Sequence, residues 1–254
     1  MTNLANQLRS ALFLASRDAY VKAAFVLPAL FAAPVVLREL LFPEADMHVM
    51  FESSLLGLVR VGTLFGTCLA MAGVVTHDVS SSGLRAAALT RSGRGGYVAS
   101  RVILALVLAV TLGAWCALLG MPLRLGPGVG LEGTPAVELS LRVVAHVMVG
   151  WVYAVFGMLL LWLTQRPRGF ASTLFAAVLL GAGLLNVVLF VPVMVLIPFS
   201  QGLAFEALQL IAPILPSGLI GDLFVADFRL IVLPAVYVCV FWVLACRVMA
   251  RASL

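Results

Sequence analysis

Charged side chains are scarce in this sequence. Only 11% of its 254 residues are Asp, Glu, Lys or Arg, while 63% are hydrophobic, and soluble domains carry about 25% charged residues. The mean hydropathy is +1.14. So few polar residues cannot cover the surface of a large soluble helical protein. The composition therefore excludes an ordinary soluble domain and predicts a multi-pass membrane protein, because roughly 20 apolar residues of helix span a bilayer.

Cysteine, histidine and catalytic motifs are scarce as well. The four cysteines (Cys68, Cys116, Cys239 and Cys246) lie in or beside apolar runs and form no CxxC pair, which favours small helix residues over a metal site or a disulfide. The three histidines are scattered, and no HExxH, GxSxG or GxxxxGK[ST] pattern occurs. We therefore expect a chain that is no enzyme and that holds no metal or cofactor of its own.

Six apolar stretches are long enough to span a bilayer. They lie at 20–37, 53–75, 102–120, 143–164, from Phe170 onward, and at 230–246. Residues 1–19 precede them, with leucines and alanines at helical spacing, which predicts an amphipathic helix on the membrane surface. The predicted fold is therefore an all-α polytopic membrane protein, with one transmembrane domain over 1–254.

The distribution of charge predicts the orientation. With the N-terminus inside, eleven of the sixteen bases lie on the inner side and nine of the eleven acids lie on the outer side. The positive-inside rule then places both termini in the cytoplasm. The bases are spread over short inner segments, so the net charge of +5 reflects the difference in charge between the inner and outer sides. We therefore expect no nucleic-acid partner.

The inner segment 77–97, between the second and third spans, carries an unusual polar run. Its sequence, HDVSSSGLRAAALTRSGRGGY, contains serines that can cap a helix, an Ala/Leu/Arg stretch that favours one, and Gly93 as a stop. A helix of about ten residues is too short to be stable alone, so it needs a membrane surface or a protein groove. The alternatives are a loop against lipid headgroups, a weak phosphate site at SGRGG, and a docking helix.

This run resembles the corresponding loop of ABC-2 type permeases, the membrane subunits of one class of ATP-binding-cassette exporters. In that family an amphipathic helix precedes six spans, and an acidic residue, a short helix and a basic stretch lie between spans two and three. Here Asp78 takes the acidic place, where Glu is usual, and Gly83-Leu84 follows as a glycine-leucine pair. Capping of a helix, or pairing with a nearby arginine, is the alternative role of Asp78.

The resemblance implies that Val79–Gly96 is a coupling helix, which would sit in a groove of a separate ATPase subunit and pass its movement to the spans. The ATPase-coupling residues that it implies are Asp78, Ser82, Gly83, Leu84, Arg85, Ala87, Ala88, Arg91 and Arg94.

The same resemblance implies an exporter of the bacterial plasma membrane. Its partners would be two copies of an ABC ATPase, which bind ATP and Mg, a second permease chain in a homo- or heterodimer, and the lipid bilayer. The cargo would be hydrophobic or amphipathic, such as an antimicrobial peptide (a lantibiotic) or a drug. The alternative is a non-transporting membrane scaffold or assembly protein whose basic inner loop binds lipid.

The outer segment 199–228 is apolar but interrupted by Pro213, Pro216, Gly218 and Gly221. It resembles the re-entrant segment between spans five and six of the same family. Irregular backbone at membrane depth is tolerated only where it is buried in protein or faces water. An interfacial loop is the alternative.

A few polar residues near or within the apolar runs are candidates for a pathway or for helix packing. Arg60 lies inside the second span, and either Glu52 or Glu138 is its expected partner; a snorkelling side chain or a structural salt bridge is the competing interpretation. Asn186 is expected to bond a neighbouring helix. Arg142 and His146, one turn apart, are expected to anchor one face of the fourth span. The candidates for a pathway or for helix packing are therefore Arg60, Glu52, Asn186 and Glu206.

Overall fold

The computed structural model describes residues 2–41, 55–80, 93–120, 136–164, 215–220 and 227–251, with single positions between 191 and 206. Within these ranges the chain is almost entirely helical and contains no strand. Helix α3 covers residues 55–80, and its apolar span is Leu55–Asp78. Within α3, Val61–Gly66 is π-helical and Thr67–Ser80 is α-helical. The other helices are α1 (Thr2–Arg17), α2 (Ala19–Leu41), α4 (Gly93–Gly120), α5 (Ala136–Thr164) and α6 (Arg229–Arg251).

Four helices, α3 to α6, are long and apolar enough to cross a membrane, and α2 contains a shorter apolar stretch at Ala19–Pro34. These five coincide with predicted spans one to four and six. Helices α4 and α5 begin before the predicted spans, at Gly93 and Ala136, because the prediction followed the apolar core of each helix and left out its polar first turns. The fifth predicted span, from Phe170, lies outside the described residues.

Helix α5 occupies the centre of the described bundle. It packs against α3, α4 and α6 and buries the large side chains of Tyr153, Met158 and Trp162. The most apolar 18 residues of the α3 span are also enclosed, with 83% of them buried, whereas only 22% of the corresponding residues of α6 are buried. Helix α6 is therefore peripheral, and its exposed Ile231, Val236 and similar residues suit contact with lipid chains.

Close helix contacts depend on glycine. A Cβ atom on Gly150 of α5 would collide with the backbone carbonyl oxygen of Thr63 in α3, and one on Gly62 of α3 would collide with Cys116 Sγ in α4. Association of helices in lipid is driven largely by such close packing, because burial of apolar surface supplies little. These glycines therefore let α3 approach both α4 and α5.

Helix α1 packs on the bundle with part of its predicted apolar stripe. Ala11 and Ala15 are buried, mainly against α4, while Phe13 is exposed beneath the Arg17 guanidinium, whose Cζ lies 4.3 Å from the ring centroid. Leu4 and Leu12 of the same stripe are exposed, and the expected position of helix 1–19 on the membrane surface stays a prediction. Asp18 separates α1 from α2 and caps α2. Its Oδ1 accepts hydrogen bonds from Tyr20 N at 2.8 Å and from Val21 N at 3.2 Å.

The described part of the outer segment lies against the bundle. Pro216–Ile220 forms a 3-10 helix that packs on α5 and α6 and buries Leu219 in the main core. This part of the predicted re-entrant segment 199–228 is thus buried in protein. Just beyond it, Asp227 caps α6 by accepting hydrogen bonds from Arg229 N at 2.8 Å and Arg229 Nε at 2.6 Å. Although desolvation acts in the opposite direction, these bonds and the arginine charge hold the pKa of Asp227 below its ordinary value.

Candidate functional site

A buried ion pair joins α3 to α4. Asp78 lies in the last turn of α3, and Arg101 lies in the third turn of α4. Arg101 Nε donates to Asp78 Oδ2 at 2.8 Å, and Arg101 Nη2 donates to Asp78 Oδ1 at 2.9 Å. The two side chains are only 8% and 6% exposed. This is a bidentate arginine–carboxylate pair, which fixes orientation as well as distance.

Tyr97 completes the coordination of the carboxylate. It lies four residues before Arg101, on the same face of α4, and its hydroxyl donates to Asp78 Oδ2 at 2.7 Å. The Arg101 Cζ atom lies 5.1 Å from the centroid of the Tyr97 ring, within cation–π range. Asp78 therefore receives three hydrogen bonds from one face of one helix. We call Asp78, Tyr97 and Arg101 the inner network.

Helix α5 reaches the inner network through Trp162. Its ring centroid lies 6.0 Å from that of Tyr97, at an interplanar angle of 58°, and its side chain is 1% exposed. No acceptor among the described residues takes a hydrogen bond from Trp162 Nε1. The inner network is thus packed against the central helix and closed to solvent.

Local sequence explains part of this arrangement. A carboxylate in the last turn of a helix is disfavoured by the helix dipole, so Asp78 is stabilised by a cation brought from another helix. A buried pair of this kind adds little net stability, but removing one partner leaves an uncompensated buried charge, at a cost of about 3–5 kcal/mol. The inner network therefore holds the ends of α3 and α4 in one fixed relation, on either side of residues 81–92.

A second contact ties the start of α4 to the end of α6. Arg94 Nη1 donates to the carbonyl oxygens of Met249 at 2.6 Å and Ala250 at 3.0 Å. A cation at these terminal carbonyls also complements the helix dipole. Gly93, immediately before, has φ +60°, a left-handed conformation that glycine adopts without strain. It was predicted to end a short preceding helix.

Both ends of the predicted inner segment 77–97 belong to the flanking helices. Residues 77–80 belong to α3, and residues 93–97 belong to α4. Asp78 and Arg94 lie at the same end of the bundle. The Asp78 carboxylate contacts Arg101 and Tyr97, whereas the Arg94 guanidinium contacts the end of α6. The other predicted coupling residues lie outside the described residues: Ser82, Gly83, Leu84, Arg85, Ala87, Ala88 and Arg91.

The alternative role considered for Asp78, pairing with a nearby arginine, is confirmed. Tyr97, Arg101 and Trp162 were not predicted as site residues. One signal was available: Tyr97 and Arg101 are spaced by four on a helix, and Arg101 directly precedes an uncharged stretch.

A second polar cluster lies toward the opposite end of α3 and on α5. Arg142 donates to Glu138 Oε1 from Nη2 at 2.9 Å and from Nε at 3.2 Å. His146, one turn further, is buried, and its Nδ1 lies 2.7 Å from the Arg142 carbonyl oxygen. Glu138, one of the two partners predicted for Arg60, therefore bonds Arg142. Arg60 is exposed on α3, near enough to His146 for their charges to interact.

The remaining candidates are not brought together with these clusters. Glu206 is exposed, and Glu52 and Asn186 lie outside the described residues. Among the described residues, no group of three His, Cys, Asp or Glu side chains is placed to hold a metal ion.

No protein-family model and no curated protein matches the sequence.

Proposed function

We propose that the chain is the membrane-spanning permease subunit of an ABC-2 type exporter in a bacterial plasma membrane. A separate ATPase subunit, present in two copies, binds and hydrolyses ATP with Mg. A second permease chain, identical or different, completes the pathway. The cargo is a hydrophobic or amphipathic molecule, such as an antimicrobial peptide or a drug, which fits spans with very few polar residues.

The buried link between Asp78 and Arg101 is the observation on which this rests. Their side chains bond across the bundle from two helices that lie on either side of residues 81–92. A partner that pushed on those residues would move α3 and α4 as one unit, because the inner network resists their separation. Such a rigid connection supports the role of the inner segment as a coupling element.

The contacts of α5 and α6 extend this support. Trp162 packs on Tyr97, and Arg94 bonds the last carbonyls of α6. A displacement at the start of α4 would therefore reach both the central helix and a peripheral one. Coupling of this kind needs packed elements with discrete arrangements, and the described contacts connect four of the helices at one end of the bundle.

Copurification with an ATPase tests the proposal. The chain is co-expressed with a candidate ATPase, identified by GxxxxGK[ST] and an LSGGQ-like run in a neighbouring reading frame, and ATP hydrolysis is measured on the purified complex. Leu84→Glu places a charge on the predicted apolar face of the coupling helix, and we expect it to abolish copurification. Leu131→Glu, in a segment predicted to lie outside, is the matched control and should leave the complex intact.

A different outcome of the copurification would contradict the exporter function. If the wild-type chain recovers no such ATPase, and Leu84→Glu has no effect on expression or on any complex, the exporter function is wrong. The membrane scaffold with a lipid-binding inner loop would then be the better account of the basic residues.

A further inference from the structure

Arg60 is an exposed cation on a largely enclosed helix. In the most apolar 18 residues of the α3 span 83% are buried, and Val59, immediately before Arg60, is fully buried. Leu55 lies five residues earlier, so Arg60 is about 8 Å along the helix axis from that end of the span. An arginine at this depth is long enough to bring its guanidinium to the headgroup level while its stem stays among apolar groups.

A π-helical turn, Val61–Gly66, follows Arg60 directly. Such turns frequently occur at functional sites. Leu64 and Cys68, in and beyond this turn, are each 3% exposed, whereas Arg60 is exposed.

The charge of Arg60 is not balanced by the described residues around it. Glu138, the acid available on the facing helix, already accepts two hydrogen bonds from Arg142. His146 is engaged at Nδ1 by the Arg142 carbonyl oxygen. The described cluster of Arg60, Glu138, Arg142 and His146 thus carries a net formal charge of +1 with neutral histidine, and it favours an anion.

There is room for that anion beside Arg60. Gly57 lies one turn earlier on the same face of α3 and is exposed, and a Cβ atom placed on it would meet no described residue within 4 Å. Among the described residues, the open surface therefore runs from Arg60 toward the Leu55 end of the span. An anion that enters here comes from the bilayer surface at that end.

We propose that Arg60 binds the phosphate of an anionic phospholipid, with its headgroup beside Gly57 and its acyl chains along the apolar surface at that end of the bundle. The net positive charge of the cluster favours a phosphate. The position of Arg60 within the apolar span favours an amphiphile over a free ion. This inference goes beyond the exporter function and holds whether or not the chain pairs with an ATPase.

Lipid retention by the full chain tests the site. The protein is purified in detergent, titrated with phosphatidylglycerol or phosphatidylcholine, and bound lipid is counted by native mass spectrometry. We expect one phosphatidylglycerol molecule to bind the wild type, and Arg60→Gln to weaken it roughly tenfold, the loss of one charge-assisted hydrogen bond. Arg60→Lys should restore part of the binding, and Lys22→Gln, which removes an exposed base elsewhere, should leave it unchanged.

Three results would overturn the proposal: equal binding to wild type and Arg60→Gln, equal loss in Lys22→Gln, or displacement of the lipid by millimolar inorganic phosphate. If Arg60→Gln does not fold, as judged by gel filtration, Gly57→Leu decides the question. That variant keeps the charge and fills the open surface, so weakened binding supports the site and unchanged binding contradicts it.

Discussion

Arg101 donates hydrogen bonds from Nε and Nη2 to both carboxylate oxygens of Asp78, at 2.8 and 2.9 Å. This contact joins two helices whose ends are separated along the chain by residues 81–92. Because both side chains are buried, neither charge has water as a substitute partner. The integrity of this end of the bundle therefore depends on both residues together.

Removal of one charge of this pair should destabilise the protein strongly. Asp78→Asn leaves Arg101 buried and unpaired, so we expect a loss of about 3 kcal/mol, seen as a fall in Tm on the order of 10 °C. The double variant Asp78→Asn/Arg101→Gln leaves no buried charge and should lose less than the sum of the two single variants. Thermal unfolding in detergent measures all three.

The partly exposed pair Glu138–Arg142 provides the control for this cycle. It spans one helical turn, with side chains 37% and 33% exposed, so Glu138→Gln should change stability by no more than about 0.5 kcal/mol. Strictly additive losses for Asp78→Asn and Arg101→Gln would show that the inner network does not act as a unit.

The contact between α3 and α5 should not tolerate a methyl group at Gly150. A Cβ there would collide with the Thr63 carbonyl oxygen, and backbone cannot move aside as a flexible side chain can. We expect Gly150→Ala to cost about 1–3 kcal/mol in thermal unfolding. Gly95→Ala, at an exposed helical position with no described residue within 4 Å of the added Cβ atom, is the matched control and should be neutral or slightly stabilising. Equal effects at the two positions would contradict the close approach.

Arg94 should protect the end of α6. Its guanidinium donates hydrogen bonds to the carbonyl oxygens of Met249 and Ala250. Carbonyl groups in the last turn of a helix have no N–H donor within the helix. Arg94→Gln should therefore let the last turn fray and speed amide hydrogen exchange in peptides covering 245–254 by severalfold, since a terminal contact of this kind contributes about 1 kcal/mol. Arg9→Gln, an exposed base on α1, should not change exchange there. Protection equal to wild type in Arg94→Gln would show that the contact contributes nothing.

The predicted orientation is open to a labelling test. Cys239 is exposed and Cys246 is half-buried, so both are first replaced by alanine. Ser10→Cys and Val137→Cys then place single reactive thiols at exposed positions on α1 and at the start of α5. With both termini inside, a membrane-impermeant maleimide should label position 137 in intact cells and position 10 only after lysis. The reverse pattern would overturn the orientation.

Much of the helical architecture could be read from the sequence. The lengths of the apolar runs predicted α3, α4, α5 and α6 as spans, because a helix in lipid must satisfy its own backbone hydrogen bonds and so extends across the apolar layer. The stripe of alanines in α1 was equally visible, since it depends only on helical periodicity. What the stripe contacts was not visible, because periodicity does not distinguish a membrane surface from another helix.

The site was only half predictable. Asp78 stood out as the acid of the inner segment, but four arginines occur between residues 85 and 101, and each was a possible partner. Arg101 pairs with Asp78 because the packing of α3 on α4 sets their register, and register depends on contacts between residues distant in sequence.

Composition, apolar length and charge asymmetry by themselves predicted a helical membrane protein and its orientation, since those properties depend on the chain's interaction with bilayer and water. Four of the described helices are long and apolar enough to cross a membrane. Tertiary structure alone decided which charges meet and which remain exposed. The glycine contacts of α3 arise where neighbouring helices approach closely. The packing places the Asp78 carboxylate against Arg101 and leaves Arg60 exposed.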